Sequence, residues 1–216
     1  MIKARRPKRT YDSAGRQTRA QQTRRHILEA AHRVFAERGY AGATMQLIAG
    51  EAAVSLQTIY AIFKNKPRVL VALFNVSSSS GTEENIPVLQ RAGPKAVARE
   101  RDPRHQISML AQVVADNLTG AAPVAEILED AARTEPEIQT ILTRLNTQRL
   151  EHMSTVVRQI GANGPLRSYT DEASARDIVW ALTSPELFLL LTRDSGWSKE
   201  KYRSWLEEAL SHALLP

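Results

Sequence analysis

The sequence contains no cysteine. That excludes disulfides, thiolate zinc sites and cysteine nucleophiles, and it fits a reducing cytoplasm. Glycine and proline number ten each in 216 residues, and aromatic residues make up only 6%; collagen-like and low-complexity architectures are excluded. No apolar run, residues 69–74 and 187–191 included, approaches the roughly 20 residues that span a bilayer. The basic N-terminal stretch lacks the apolar segment of a secretory signal. Catalytic signatures are missing too: there is no G-x-x-x-x-G-K-[ST] phosphate loop, no G-x-S-x-G and no H-E-x-x-H. His26 and His32 lie six residues apart on one helical stretch, so they point about 240° apart and cannot share a metal. His152 has no carboxylate or histidine at helical ligand spacing, and His105 and His212 have one carboxylate each (Asp102 and Glu208), short of the three protein ligands a metal site needs. These absences lead us to expect a cytoplasmic protein that is not an enzyme and carries no metal or cofactor.

What is present is an ordinary globular balance, 43% hydrophobic and 24% charged, with the charge unevenly placed. Residues 1–70 hold 14 Lys/Arg against 4 Asp/Glu, whereas residues 71–216 hold 15 against 19. A basic end on a mildly acidic remainder points to a polyanion at one end and a different task at the other.

Residues 1–19 carry seven Lys/Arg and one Asp with almost nothing to bury, which reads as a flexible basic arm. From about Gln21, Ile27, Leu28, Ala31, Val34 and Phe35 recur at helical spacing, and Gly39 is placed to end that helix. Thr44 is a good N-cap for a short second helix carrying Leu47, Ile48 and Ala52. After a break at residues 53–55, Ser55 can cap a third helix running to about Phe63. Pro67 suits the first turn of a fourth, with Val69, Leu70, Leu73 and Phe74 as its apolar stripe. Residues 77–80 with Gly81 read as a loop, and residues 86–101 are interrupted by Pro87 and Pro94. Helical patterns then cover about 103–118, 123–132, 136–160, 171–193 and 198–214. No alternating strand of useful length appears. The expected fold is all-α, with about nine helices.

Residues 44–66 are the informative unit. A short helix, a three-residue turn and a second short helix make a helix-turn-helix, which sets its second helix in the DNA major groove. Ser55, Thr58 and Tyr60 offer hydroxyls suited to phosphates, and Gln57 can pair with the edge of adenine. Lys64 and Lys66 stand where they can grip the DNA backbone. For the arm, Arg5, Arg6, Arg16 and Arg19 are the candidates for minor-groove or phosphate contact.

The segment from Arg24 to Leu70 resembles the TetR (tetracycline-repressor-like) transcriptional regulators. The resemblance rests on Ile27-Leu28-x-Ala30-Ala31, Phe35-x-x-x-Gly39-Tyr40, Thr44, Ile48-Ala49 and Val54-Ser55-x-x-Thr58-Ile59-Tyr60-x-x-Phe63-x-x-Lys66-x-x-x-Leu70. It implies a DNA-binding head of three helices, a linking fourth helix, and a ligand-binding body that dimerises through its last two helices. It also implies DNA contact at Thr44, Gln57, Thr58, Tyr60 and Lys66. The corresponding division is an arm at 1–19, a head at 20–66 and a body at 67–216. Three departures stand out. Ala53 occupies a turn position where the family usually has glycine; Gly50 lies inside the second helix; Leu56 and Ile62 are apolar where polar or aromatic residues are common. Leu56 is expected to pack on a thymine methyl and Ile62 to pack inward. Ala53 and Leu56 are the features that would favour the alternative, a ligand sensor or interaction protein with a degenerate head.

In the body, Met109, Val113 and Met153 are the candidates for an apolar ligand lining, with Asn117, Gln148 and His152 as polar groups that orient a ligand. A hydrophobic or amphipathic effector is expected. The last two helices carry Ile178, Trp180, Leu182, Phe188 and Leu191, then Tyr202, Trp205, Leu206, Ala209, Leu210 and Leu214. Pro185 is expected to kink the first of these helices after its first half. Some of these residues pack within one subunit, and the stripes are expected to join two subunits through residues 171–214, giving a homodimer on a palindromic operator.

Overall fold

A computed structural model describes residues 13–79, 86–168 and 171–216, with side chains from Thr18 onward. Among the described residues there is no strand. The elements are α1 (Ser13–Gly42), α2 (Met45–Glu51), α3 (Leu56–Phe63), α4 (Lys66–Ser77), a 3₁₀ turn (Val88–Gln90), α5 (Ala92–Arg99), α6 (Pro103–Ala132), α7 (Pro136–Asn163), α8 (Glu172–Leu182), α9 (Pro185–Leu189), a π turn (Leu190–Asp194) and α10 (Lys199–Leu214).

The all-α expectation holds, and the local signals explain most boundaries. Thr44, Ser55, Asn65, Asp102, Asp171, Ser184 and Ser198 each accept a backbone N–H of the helix they precede. Gly39 breaks the axis of α1 with φ 64° and ψ 178°, a conformation essentially restricted to glycine. α1 begins at Ser13, before the expected Gln21, so residues 13–19 of the expected arm are helical. The arm's Arg5 and Arg6 and the side chain of Arg16 fall outside the described residues.

Three expectations are corrected. The stretches 103–118 and 123–132 form one helix, α6, which runs through Pro123. Pro123 is exposed while Ala121, Ala122, Val124 and Ala125 are buried, so packing on both sides outweighs the roughly 3 kcal/mol that an interior proline costs. The interrupted stretch 86–101 contains α5, because Pro94 falls in its first turn, where the missing N–H has no partner to lose. The kink expected at Pro185 in the stretch 171–193 is a full break into α8, α9 and the π turn; Ser184 caps the restart and Pro185 opens α9.

Two apolar clusters hold the fold. The first joins α1–α4 to the C-terminal part of α6 (Val124, Leu128, Ala131, Ala132) and to Ile138 of α7. The second joins Val97, the N-terminal part of α6, and Val156, Val157 and Ile160 of α7 to α8, α9 and α10. Each fully buried Ile, Leu or Val contributes about 1.5–3 kcal/mol. α6 belongs to both clusters.

Candidate nucleic-acid interface

α2 and α3 are set by their caps and by a tight turn. Thr44 Oγ1 accepts the Leu47 N–H at 3.1 Å, and Ser55 Oγ accepts the Thr58 N–H at 3.1 Å. Ser55 Oγ also lies 2.8 Å from Thr58 Oγ1. α2 closes with the Val54 N–H on the Ala49 carbonyl (3.0 Å) and the Ala53 N–H on the Gly50 carbonyl (3.1 Å). That pair of bonds is a Schellman motif, whose usual left-handed residue is glycine. Here Ala53 adopts φ 49°. The departure from the family pattern thus leaves the turn geometry in place.

α3 buries Ile59 and Phe63 against α1, α2 and α4. Leu56, Gln57, Tyr60 and Lys64 are exposed, as is Thr44 at the start of α2, while Thr58 is half-buried. Tyr60 therefore stands free of the core and Phe63 within it. Ile62 does not pack inward as expected: 37% of its surface is exposed. With 100° per residue it sits about 80° round the helix from the buried Ile59–Phe63 direction.

Lys66 is more committed than the sequence indicated. Its Nζ donates to the Tyr40 carbonyl (2.9 Å) and the Ala43 carbonyl (3.1 Å), and it lies 4.0 Å from the centre of the Tyr40 ring. The ammonium so satisfies carbonyls at the end of α1 and fastens α4 to it. Tyr40 in turn donates through its hydroxyl to Glu135 (3.3 Å), and burial followed by the Glu135 charge holds that hydroxyl far above its ordinary pKa. Asn65, the cap of α4, donates to Glu137 (3.2 Å), and Arg68 stands 3.8 Å from the same carboxylate. These anchors at the start of α7 were not foreseen. Asn65 was readable as a cap from its place before Lys66-Pro67, but its long-range partner was not.

The body places the six ligand candidates differently from one another. Met109, Val113 and Met153 pack partly buried on the second cluster. The Asn117 Oδ1 atom is buried without a hydrogen-bond partner. His152 is half-buried, and burial lowers its pKa. Gln148 is exposed. None of the six lines the cavity of about 560 Å³ that opens between α6 and the α8–α9 break. That cavity is walled by Glu126, Glu129, Ala181, Ser184, Pro185, Glu186, Leu187, Leu189, Leu190, Arg193 and Asp194. Glu129 is raised to about 7 by burial, by its hydrogen bond to Glu186 and by the neighbouring carboxylates. Glu186 shares that proton and, despite burial, is held below its ordinary range by its own N–H, Glu129, Ser184 and Arg149. No group of three or more His, Asp or Glu side chains among the described residues is placed to hold a metal.

The stripe on α10 turns inward in part: Tyr202, Leu206, Leu210 and Leu214 are buried in the subunit's own core, while Trp205 and Ala209 remain partly exposed. On α8 and α9, Phe188 is buried, and Ile178, Trp180, Leu182 and Leu191 are partly exposed. Among the described residues no single helix is long and apolar enough to cross a membrane.

Fold and interface together define an all-α DNA-binding protein of the helix-turn-helix class. Residues 27–73 match the family described as bacterial regulatory proteins, tetR family. FadR from Bacillus subtilis, solved in complex with stearoyl-CoA, superposes with a TM-score of 0.64 at 18% identity, covering 86% of this chain and 96% of that one. A transcriptional regulator from Saccharomonospora viridis solved with choline gives 0.67 at 20%, covering 91% and 99%. NalD from Pseudomonas aeruginosa, the secondary repressor of the MexAB-OprM multidrug efflux pump, gives 0.66 at 20%, covering 91% and 98%. No curated protein matches the chain in sequence. The head at residues 27–73 is thus that of the tetR family of bacterial regulatory proteins, and the chain as a whole shares the fold of these solved regulators.

Proposed function

We propose that the protein is a cytoplasmic repressor that binds a palindromic operator as a homodimer and releases it when a small molecule occupies the body. The observation that carries this reading is the exposed α3 face, presented by a capped helix-turn-helix within the basic third of the chain. The division is that of the sequence: an arm at 1–19, a DNA-binding head at 20–66 and a ligand-binding, dimerising body at 67–216. Thr44, Ser55, Leu56, Gln57, Thr58, Tyr60 and Lys64 meet the operator, whereas Lys66, expected from the sequence to do so, is engaged by the Tyr40 and Ala43 carbonyls and positions α4 instead. Two subunits joined through residues 171–214 set their α3 helices about one DNA turn (~34 Å) or a multiple of it apart. The partly exposed Trp180, Leu191 and Trp205 support that contact.

The effector is hydrophobic or amphipathic. Two structurally similar regulators hold stearoyl-CoA and choline, which are amphipathic and cationic respectively. In this chain the unpartnered Asn117 Oδ1 is open to a donor from a bound molecule beside Met109, Val113 and Met153, with His152 and Gln148 on the neighbouring helix. A ligand that binds one head separation better than the other weakens operator binding by the ratio of its two affinities; about 1–3 kcal/mol of coupling loosens it about 5- to 150-fold. Selection of the full chain on random duplexes, followed by sedimentation and an effector screen, tests the reading. An enriched inverted repeat bound by a dimer supports it. Recovery of no motif at moderate salt, or monomer alone at micromolar concentration, overturns it.

A further inference from the structure

The exposed side chains on the flanks of α3 are largely apolar, on the element proposed to meet DNA. With 100° per residue, buried Ile59 and Phe63 fix the inward direction. Gln57 and Ala61 then point outward, while Tyr60 lies about 80° and Leu56, in the first turn, about 40° from the inward direction on one side, and Ile62 about 80° on the other. Leu56 is nevertheless 38%, Tyr60 47% and Ile62 37% exposed, and Leu47 of α2 is 37% exposed. Four of the seven exposed large hydrophobics among the described residues therefore fall within residues 47–62. No residue of α3 is charged.

The segment is cationic overall: residues 18–70 hold eight Lys/Arg against three Glu, and Lys64 is exposed at the end of α3. Exposed apolar side chains in a cationic segment suit a groove with phosphate walls and methyl groups on its floor. Only one base edge offers such a group in the major groove, the C5-methyl of thymine. The paired amide of Gln57 complements adenine N6 and N7. Guanine is most often read by Arg or Lys, and α3 presents neither. Thr58 Oγ1 already engages Ser55 Oγ, and Ala61 adds almost no bulk, so the helix can approach the base edges closely.

We infer that the exposed surface of α3 reads A·T pairs, with outward-pointing Gln57 on the adenine edge and the exposed Leu56, Tyr60 and Ile62 on its flanks against thymine methyls. This rests on the operator-binding reading and specifies the chemistry of its target. The test uses the full chain, selected on random duplexes in parallel with Leu56→Ala and Gln57→Ala. Both side chains are exposed, and a thermal melt confirms that each variant folds. The expected result is A·T pairs at the half-site positions whose preference relaxes in the variants. Replacing the Leu56-dependent thymine by deoxyuridine is expected to weaken the parent about fourfold, the equivalent of ~0.8 kcal/mol for one buried CH₂ group. Leu56→Ala should not respond to that replacement. G·C pairs at the relaxed positions, or a parent indifferent to deoxyuridine at every thymine, would overturn the inference while leaving specific binding intact. A parent that enriches no motif overturns the operator-binding reading itself.

Discussion

Ala53→Gly should stabilise the head. Ala53 holds φ 49° as the left-handed residue of the Schellman turn after α2. The clash of its Cβ with the following carbonyl costs an L-residue about 1–2 kcal/mol, which glycine does not suffer. Glycine loses about 0.4–1 kcal/mol more entropy on folding, so the net gain is about 0.5–1 kcal/mol. For a chain of this size that raises Tm by about 1–4 °C. Gly50→Ala, three residues earlier, acts through the opposite term. A Cβ there meets nothing within 4 Å, and alanine is about 1 kcal/mol better inside a helix. Both residues belong to one turn, so the double variant is not required to show the sum. The assay is thermal and denaturant unfolding of the full chain, with Ala53→Val as the opposite control. A β-branched residue in the left-handed region should lower Tm. If glycine gives no gain and valine no loss, residue 53 is not left-handed, and the reasoning fails.

Gly39→Ala should destabilise by about 1–3 kcal/mol, because φ 64° with ψ 178° is nearly closed to other residues while the space around it is open; a denaturation midpoint equal to the parent's would contradict this. Lys66→Met removes two charge-assisted bonds to carbonyls, so it should cost about 1.5–3 kcal/mol of stability and leave the salt dependence of DNA binding unchanged. A slope flattened by about one, with Tm preserved, would instead put its ammonium on a phosphate. Glu129→Gln tests the carboxylate pair. The folded protein holds the Glu129 proton up to about pH 7, well above the ordinary value of 4.5, so its stabilising contribution is complete below about pH 4.5 and lost as pH rises through 7. Glutamine keeps a neutral donor at every pH, so the variant should gain on the parent between pH 5.5 and pH 8 in urea unfolding; a constant difference across that range refutes the shared proton.

The head was legible because its signals are local. Thr44, Ser55 and Gly39 each act within four residues of themselves, and the structure uses them as caps and a break. The buried stripe of α1 follows directly from its spacing. Legibility ended where tertiary packing reversed a local preference. Pro123 was read as a boundary, yet α6 continues because its flanking alanines and Val124 are buried on both sides. The stripe of α10 was read as a subunit contact, but periodicity only says that a face is covered, not by what. Tyr202, whose hydroxyl donates to the Leu182 carbonyl at 3.3 Å and whose ring meets Phe188 edge-on, faces its own core. The cavity between α6 and α9 depends on the break at residues 183–184; Pro185 signals a kink there, but not that the kink opens a cavity against α6.

The joint between head and body is broader than the linking helix alone. α4 packs on α6, but α6 itself supplies Val124, Leu128, Ala131 and Ala132 to the head's cluster and Ile107, Leu110, Ala111, Ala115, Leu118 and Ala122 to the body's. A rigid 30-residue helix shared in this way cannot slide or turn in one cluster without disturbing the other, since close-packed cores repack in steps and do not deform smoothly. Glu135, at the N-cap of α7, and Glu137 in its first turn hold Tyr40 at the end of α1 and Asn65 and Arg68 at the start of α4. Displacement of α6 would therefore pull on both ends of the helix-turn-helix at once. Because Lys66 ties those two ends together through the Tyr40 and Ala43 carbonyls, the head would move as one body and α3 would keep its internal geometry. What changes is where α3 is held. That is the variable on which a groove-reading helix depends, since half-site spacing on DNA is fixed by the helical repeat and cannot follow it.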